Sequence, residues 1–351
     1  MNKDRVRAFT DKIFADMASA MSAGLAYVGT KTGLFSAMSG RGPMTADDVA
    51  RATGLQPRYV KEWLSGMVSA GYLEYDGPAE TYELPDEHAF LLASEGTDHY
   101  AGGLFLMVPA LMRVAPRVAE AFAKGGGVPF DAFGIETIEA LDLLNRGQYE
   151  QRLASYWLKS LPEVVSVLEQ GASVLDVGCG AGSVVLTIAK AFPKTTIVGI
   201  DSSEGSIEKA KASAVREGFS GQVTFFAGAV DDLNPVEKFD LVTICDAVHD
   251  FAAPVETLAQ VRSRLKPDGV LFVVEPKAGD RLEDNCNAVG AMYYGFSVFH
   301  CMTQSLAHGG PGLGTCMGPA KLEALARDAG FTRFERLDLR SNVLAFFAVR
   351  L

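Results

Sequence analysis

The sequence predicts an α/β fold in which a parallel sheet follows a helical N-terminal region. Three observations support this prediction. A strand, loop, helix and strand follow one another between Ala172 and Ser202, further apolar strands alternate with helices beyond that point, and the first third of the chain is helical apart from one short hairpin. With 351 residues, the chain is long enough for two domains that each bury a core.

The stretch from Ala172 to Ser202 contains the most specific pattern of the chain. Its first apolar run ends in glycines at 178, 180 and 182, and its second apolar run ends at Asp201. Glycines at this turn allow a ligand to approach the backbone, and a carboxylate at the tip of the next strand can accept hydrogen bonds from a ribose diol. The pattern therefore predicts a site for an adenosine-containing ligand, the alternative being a tight turn without a ligand.

The spacing of the glycines narrows the choice of ligand. The dinucleotide fingerprint would need glycine where this chain has Ser183, and no G-K-[ST] sequence of a phosphate-binding loop follows. Asp176 followed by G-x-G-x-G instead resembles motif I of the class I S-adenosylmethionine (SAM) methyltransferases. The resemblance implies SAM as cofactor, S-adenosylhomocysteine (SAH) as product, and a Rossmann-like seven-stranded methyltransferase sheet.

The resemblance also implies which residues contact the cofactor. These are Asp176, Gly178, Cys179, Gly180, Gly182, Asp201, Ser202, Ala229, Val230, Asp231, Cys245 and Asp246. Members of the family often carry an acid directly after the glycine equivalent to Gly228, where this chain has Ala229. We therefore expect the backbone of Val230 to meet the adenine ring, with Asp231 or Asp232 as a substitute acceptor.

The segment after the fourth strand is the candidate catalytic segment. His249, Asp250 and Phe251 resemble the H-D-W of winged-helix O-methyltransferases, in which the histidine is the general base. An imidazole suits this role because its pKa lies near the working pH. Two alternatives are that His249 caps the helix beginning at Pro254, or that it orients a substrate without taking a proton. The predicted catalytic residues are His249 and Asp250.

Aromatic and histidine side chains supply the candidate acceptor site. Residues 277–317 form a long excursion after the fifth strand, and loops of this length inside a domain are generally functional. The predicted substrate-binding residues are Tyr149, Trp157, His249, Tyr294 and His300. Aromatic residues at helical spacing are more often core residues, which is the alternative for Tyr149 and Trp157. His300, Cys301 and His308 lack the paired short spacing of a zinc site, so no metal is predicted.

The N-terminal region reads as helix, turn, helix and hairpin, the order of a winged helix. Residues 1–90 contain nine basic and twelve acidic side chains, a net charge of about -3, whereas a duplex reader needs a basic face. The region instead resembles the dimerisation domain of small-molecule methyltransferases. The predicted division is a winged-helix domain at 1–95, a helical linker and active-site cover at 96–170, and the SAM-dependent domain at 171–351.

Composition bounds the environment of the protein. The net charge of -11 argues against nucleic acid and anionic membranes as main partners, and the apolar run from Ala101 to Met112 is too short to cross a bilayer. The N-terminal residues are charged throughout, unlike a signal peptide. Five scattered cysteines predict free thiols, and hence a cytoplasmic protein.

The sequence as a whole thus predicts a SAM-dependent methyltransferase of a small, apolar or aromatic acceptor, working as a homodimer without DNA or membrane. O-methylation is favoured because His249 offers a base, although a carboxylate, thiolate, amine or halide acceptor would need none. Two alternatives stay open: a winged-helix regulator that responds to SAM, and a catalytically inactive homologue that only binds it.

Overall fold

The computed structural model describes residues 1–234 and 236–351. Contacts between these residues group the chain into two compact units. The first unit contains Met1–Pro109 and Leu143–Gly147, and the second contains Ala110–Asp142 and Gln148–Leu351. The three-part division predicted from the sequence stays a prediction.

The first unit begins with a run of four helices and a hairpin. Its elements are α1 (Lys3–Lys31), α2 (Leu34–Met38), α3 (Ala46–Thr53), α4 (Pro57–Ser69), β1 (Glu74–Asp76), β2 (Thr81–Glu83) and α5 (Asp86–Leu92). A capping box lies at the start of α3, since Thr45 Oγ1 accepts a hydrogen bond from the backbone N–H of Asp48 at 3.2 Å. Strands β1 and β2 pair antiparallel, with Tyr75 opposite Tyr82. The order of a winged helix is thereby confirmed.

Helix α1 is anchored to the core of this unit only near its C-terminal end. The indole N–H of Trp63 donates to the carbonyl of Leu25 at 2.8 Å, and Phe35 meets the Trp63 ring edge-on at 5.2 Å between centroids. Gly29 lies against both rings, so that a Cβ atom there would come within 2.5 Å of Trp63 and 2.6 Å of Phe35. The close approach of α1 to these rings therefore depends on glycine at position 29.

Gly29→Ala is expected to destabilise the first unit by about 1–3 kcal/mol, because two buried rings would have to move. Gly24→Ala is the matched control in the same helix, since a Cβ atom at Gly24 meets nothing within 4 Å. That control should stabilise the helix by about 0.5–1 kcal/mol. Urea unfolding of the two variants measures the difference, and equal stabilities would contradict this view of the contact.

Two helices cross the boundary between the units. They are α6 (Gly102–Lys124) and α7 (Glu136–Gln148). By length and composition, α6 is the one helix in the described residues that could cross a membrane, and 39% of its most apolar stretch is buried within the protein. The sequence-based estimate ended this apolar run at Met112, whereas the helix continues through Arg113. Core helices of soluble proteins meet the same criterion, so the observation is weak evidence for a membrane.

The second unit is built on a seven-stranded sheet, as predicted. Its strands are β3 (Ser173–Val177), β4 (Thr196–Asp201), β5 (Val223–Ala227), β6 (Phe239–Cys245), β7 (Leu265–Pro276), β8 (Arg333–Arg336) and β9 (Leu344–Arg350). The strand order is β5-β4-β3-β6-β7-β9-β8, and only the pairs involving β9 are antiparallel. The C-terminal hairpin of β8 and β9 therefore forms the antiparallel edge of the sheet.

Helices cover both faces of this sheet. The covering helices are α8 (Pro162–Gln170), α9 (Ser183–Ala191), α10 (Glu204–Glu217), α11 (Pro254–Arg264) and α14 (Pro319–Asp328), whereas α12 (Ala288–Phe296) and α13 (Met302–Ala307) belong to the excursion at 277–317. Alternate residues of β3 enter different cores: Val174 joins one cluster, and Leu175 and Val177 join the other. Because β3, β4, β6 and β7 are parallel, their carboxyl ends meet at one edge of the sheet. Polar residues that end these strands are thus brought together.

The excursion at 277–317 is largely helical. It contains α12, a π-helical turn at Ser297–Cys301 and α13. The excursion is tied to the segment after β6, because Ser305 Oγ donates to the carbonyl of Phe251 at 2.9 Å and the N–H of Gly314 donates to that of His249 at 3.2 Å. The excursion therefore forms one wall of the carboxyl edge.

Candidate active site

The glycine loop between β3 and α9 turns sharply at the carboxyl edge. Gly178, Gly180 and Gly182 have φ angles of 73°, 51° and 89°, in the left-handed region that favours glycine. A Cβ atom at Gly178 would approach that of Ala247 at 2.9 Å, whereas one at Gly180 would meet nothing within 4 Å. The backbone at Gly180 thus borders open space, as the predicted approach of a ligand requires. Cys179 beside it is buried.

Asp201 is oriented by two backbone amides. Its Oδ2 accepts from the N–H of Gly180 at 2.9 Å, and its Oδ1 accepts from the N–H of Ser203 at 2.8 Å. Each carboxylate oxygen has two lone pairs, so both can accept one further hydrogen bond. Burial raises the pKa of Asp201, and these two hydrogen bonds oppose the shift. A ribose diol fits this carboxylate, and the exposed Ser202 follows it directly.

Asp176 is a buried acid with half of its carboxylate unpaired. Its side chain is 1% exposed, and Oδ1 accepts from Thr243 Oγ1 at 2.6 Å. Among the residues that the structure describes, Oδ2 has no hydrogen-bond partner. Burial raises the pKa of Asp176 to about 7, although the hydrogen bond from Thr243 opposes the shift. An unpaired buried oxygen of this kind fits a cationic ligand group.

The segment after β5 folds back on itself. The backbone N–H of Ala229 donates to Asp232 Oδ2 at 2.7 Å, and Asp231 Oδ2 accepts from Gln260 Nε2 at 2.7 Å. Val230 is buried in the core, whereas both acids are exposed. The carboxylate of Asp232 thus accepts a hydrogen bond within its own turn, and that of Asp231 accepts one from Gln260. Their predicted role as adenine acceptors stays a prediction.

Strand β6 is followed directly by a strained residue. Asp246 has a φ angle of 58°, which is uncommon for a residue other than glycine, and its N–H donates to the carbonyl of Val274 at 2.7 Å. Strain of this kind persists where the surrounding structure holds the backbone, often at functional sites. Cys245, which precedes it, is buried, and burial raises its thiol pKa well above the ordinary value.

His249 is held by a glutamate that the sequence analysis did not single out. Its Nδ1 lies 2.6 Å from Glu275 Oε2, while Glu275 Oε1 accepts from the N–H of Val248 at 2.8 Å. Both side chains are buried. Burial favours the neutral ring, but the nearby carboxylates of Glu275 and Asp250 outweigh it and raise the pKa of His249 well above its ordinary value. The two carboxylates thus favour the imidazolium and fix the orientation of the ring, and Nε2 can accept a proton only from the neutral form of that ring.

Glu275 could have been found from the sequence. It ends the apolar strand β7, just as Asp201 ends β4, and a polar residue at the carboxyl end of a parallel strand points to the ligand edge. The histidine motif itself gives no signal for Glu275, because the two residues lie 26 positions apart in the sequence. The expected alternative that His249 caps α11 has no support, since the N-cap of that helix is Ala253 and makes no side-chain cap bond.

Asp250 and Cys301 lie next to His249. Asp250 Oδ1 is 3.5 Å from His249 Nε2, and Thr315 Oγ1 donates to Cys301 Sγ at 3.3 Å. Burial raises the pKa of Asp250 to about 6, and burial raises the pKa of Cys301 to about 12. Cys301 comes from the excursion, so the catalytic segment and the excursion share this site.

The predicted substrate-binding aromatics occupy different positions. Tyr149 is buried, and burial raises its pKa well above the ordinary value. The nearby acidic groups of Cys245, Asp246, Asp176 and Glu275 raise this pKa further, as expected for a position near the carboxyl edge. Trp157 is 1% exposed and packs against Phe346 at 4.9 Å between ring centroids. Trp157 therefore belongs to the core, the alternative weighed for it above. Tyr294 keeps 39% exposure.

His300 lies beside Cys301, with its Nδ1 3.7 Å from Cys301 Sγ. Its nitrogens lie 2.9 Å and 3.2 Å from Gln304 Nε2, and its ring packs edge-on against Phe133. Burial lowers the pKa of His300 to about 3. The neutral imidazole is thus lodged among apolar side chains, and its predicted contact with substrate stays a prediction.

Two family models match this chain. Residues 168–327 match a methyltransferase domain, and residues 20–94 match an Rv2258c-like winged HTH domain. The chain is 35% identical over 109 residues to a ubiquinone biosynthesis O-methyltransferase of Haemophilus ducreyi, which covers 29% of this chain and 44% of that protein. The chain spans about half the length of the curated relatives it matches, or less.

Solved structures share the fold over nearly the whole chain. Human N-acetylserotonin methyltransferase, solved in complex with SAM, has a TM-score of 0.68, 19% identity and coverage of 97% of both chains. The O-methyltransferase NcsB1 from neocarzinostatin biosynthesis, solved with SAM and 2-hydroxy-5-methyl naphthoic acid, has a TM-score of 0.60, 19% identity and coverage of 97% and 98%. At this level of identity, the likeness shows the fold.

Proposed function

We propose that this chain, which joins a winged-helix domain to a methyltransferase domain of class I fold, is a SAM-dependent methyltransferase of small molecules. The single observation that supports the proposal most is the pairing of the Gly180 loop with the carboxylate of Asp201, at the edge where His249 and Glu275 also meet. Relatives and structural neighbours described as O-methyltransferases favour oxygen as the acceptor atom.

The residues present fit SAM. Asp201 would hold the ribose diol, because both of its oxygens keep a free lone pair. Asp176 would face the ammonium of the methionine tail, which offers a cation to the unpaired Oδ2. The other predicted cofactor residues, from Gly178 to Asp246, line the same loop and strand ends. SAM supplies a methyl group that its sulfonium has already activated for transfer.

The protein itself would orient the acceptor and remove its proton. His249 Nε2 is the atom that would accept a proton from a phenol or enol, since Nδ1 is engaged by Glu275. Glu275 would hold the ring in one tautomer and stabilise the imidazolium that forms, in the manner of an acid–histidine pair. The excursion would cover the edge and exclude water, so that proximity and orientation lower the barrier.

Product formation tests this function. The full-length protein would be incubated with SAM and a panel of phenols that includes 1,4-dihydroxy-2-naphthoic acid, a compound bound by the structural neighbour NcsB1. A methylated product and SAH, detected together by mass spectrometry, are expected for at least one phenol. SAM binding without product from phenols, carboxylates, thiols or amines would favour the inactive homologue instead.

The affinity for SAM is expected to rise with pH through the region near 7. Asp176 has its pKa raised to about 7, so it is mostly protonated below that pH. The ammonium of SAM pairs with the ionised form of Asp176 and not with its protonated form. The affinity for SAM should therefore weaken by up to about tenfold per pH unit below 7. Calorimetry from pH 5.5 to 8 measures the slope, and Asp176→Asn should remove it. A parent affinity independent of pH would contradict the pairing.

We further infer a homodimer formed through α1. This helix exposes large apolar side chains along much of its length: Val6, Phe9, Ile13, Phe14, Met17, Met21 and Val28. A helix with such an exposed apolar side requires a partner surface. A second copy of the chain is the partner that is always available.

Phe14→Glu is expected to convert the dimer into a monomer, because a charge would replace a side chain that is 72% exposed on the apolar side. Ser19→Glu adds the same charge to an exposed position on another side of α1 and serves as the control. Sedimentation velocity gives both masses. A parent protein that is monomeric at micromolar concentration would contradict the dimer.

DNA binding is not part of this proposal. Helix α4, which would be the recognition helix, carries few bases, and Arg58 is paired with Glu62. A duplex reader needs several phosphate contacts. A gel shift at two salt concentrations with promoter fragments would detect DNA binding by a winged-helix regulator, which would contradict this view.

We place the protein in the cytoplasm, because its five cysteines are free thiols.

A further inference from the structure

Three side chains beside the catalytic edge form a compact set of metal-binding atoms. Ligand atoms of His249, Asp250 and Cys301 all lie within 4.8 Å of one another. The separation between His249 Nε2 and Asp250 Oδ1 is 3.5 Å. Nitrogen and oxygen ligands at the usual zinc distances in a tetrahedron are about 3.4 Å apart. The pair is thus already spaced as two ligands of one ion.

The surroundings of these atoms match those of a metal site. Glu275 engages His249 Nδ1 at 2.6 Å, which directs Nε2 toward the cluster. Histidine ligands of zinc almost always make such a bond through their other nitrogen. Cys301 Sγ accepts from Thr315 at 3.3 Å. Asp250 Oδ1 is buried and has no hydrogen-bond partner among the residues described.

The chemistry of the three atoms selects the class of ion. A thiolate and an imidazole favour zinc, cobalt and related transition metals, whereas magnesium and calcium prefer oxygen ligands throughout. Three protein ligands leave a fourth tetrahedral position open. The set therefore fits one zinc-class cation with one exchangeable ligand.

We propose that His249, Asp250 and Cys301 bind a zinc-class divalent cation and that its binding inhibits methyl transfer. The inhibition rests on the proposed function, because Nε2 of His249 is the atom expected to take the acceptor's proton. A nitrogen that coordinates a metal has no lone pair left for a proton. The site would thus make the enzyme responsive to free zinc.

Residues close together in the sequence give no signal for this metal site, and no metal was predicted. His300, Cys301 and His308 lie within a few positions of one another, whereas the three atoms brought together here come from two segments about fifty residues apart. In the fold, His300 contacts Gln304, and Cys301 Sγ lies 3.7 Å from His300 Nδ1 and within 4.8 Å of a ring nitrogen of His249. The three ligand atoms are brought together only by the fold.

Cobalt titration tests the binding without reference to activity. Full-length protein freed of metal with a chelator is titrated with Co²⁺, and one equivalent should bind with micromolar affinity or better and give a thiolate-to-cobalt absorption band. Cys301→Ser should lose the band, while Cys286→Ser, which alters an exposed cysteine, should keep it. Absence of binding, or a band that survives Cys301→Ser, would overturn the site.

A second variant distinguishes the loss of a metal ligand from misfolding of the protein. Asp250→Asn should retain the thiolate band but weaken Co²⁺ binding by more than about tenfold, with thermal unfolding of each variant confirming that it folds. Unchanged affinity in a folded Asp250→Asn protein would overturn the assignment of Asp250.

Methyl transfer in the presence of Zn²⁺ tests the inhibition separately. Micromolar Zn²⁺ should reduce turnover of the parent at least about tenfold, and chelator should restore it. Unchanged or increased turnover with the metal bound would overturn the inhibitory role. If no acceptor is methylated under any condition, the proposed function fails, while the cobalt titration still decides whether the site exists.

Discussion

Replacing Asp201 with alanine is expected to weaken SAM binding by at least about 100-fold. The ribose would lose two hydrogen bonds to a charged acceptor. The N–H groups of Gly180 and Ser203 would also lose the partner that positions the loop. Calorimetry at a pH above 7 measures the change, because Asp176 is then mostly ionised.

Two further variants make this result interpretable. Asp268→Ala removes an exposed carboxylate near the amino end of β7, on the edge of the sheet away from the loop, and should bind SAM as the parent does. Asp201→Asn keeps an acceptor oxygen and should give an intermediate affinity. Asp201→Ala with parental affinity would mean that the nucleoside lies elsewhere.

His249→Ala is expected to lower the turnover number by about 10²–10⁴-fold for an acceptor that must lose a proton, with little change in SAM affinity. The methyl group would still be delivered, but no positioned base would take the proton. Glu275→Gln should give a smaller loss, since the ring remains but its Nδ1 loses a charged partner. Turnover is measured at saturating SAM with the first phenol that the panel identifies.

The control for these two variants is His308→Ala, which removes an exposed histidine of the same excursion and should leave turnover unchanged. An acceptor that is already ionised in solution provides a second comparison, because it needs no base and should lose much less turnover in His249→Ala. Equal losses for both acceptors would assign His249 to orientation of the substrate rather than to proton transfer.

Local patterns predicted the sheet well. The residues that form β3, β4 and β6 are short apolar runs with a glycine loop or a polar residue at their carboxyl ends. Runs of this length that are separated by helices are typical of buried parallel strands. The capping box at Thr45 could be read in the same way, because it depends only on residues three positions apart. Motif I then predicted the edge of the sheet at which a ligand would bind.

The partners of the site residues could not be predicted in this way. The bond between His249 and Glu275, and the approach of Cys301 to His249, join segments far apart in the sequence, and their meeting depends on strand order and on the path of the excursion. Trp157 illustrates the same limit, since its helical spacing is equally compatible with a core and with a pocket. In the structure, the Trp157 ring is buried against Phe346, which places it in the core.

The central claim is that the glycine loop and Asp201 together hold the nucleoside of SAM. A crystal structure of the protein grown with SAH tests it most directly. The account predicts both ribose hydroxyls within hydrogen-bond distance of the Asp201 carboxylate, with the adenosine beside Gly180. Ribose hydroxyls bound to other residues, with Asp201 still paired only to the amides of Gly180 and Ser203, would contradict it.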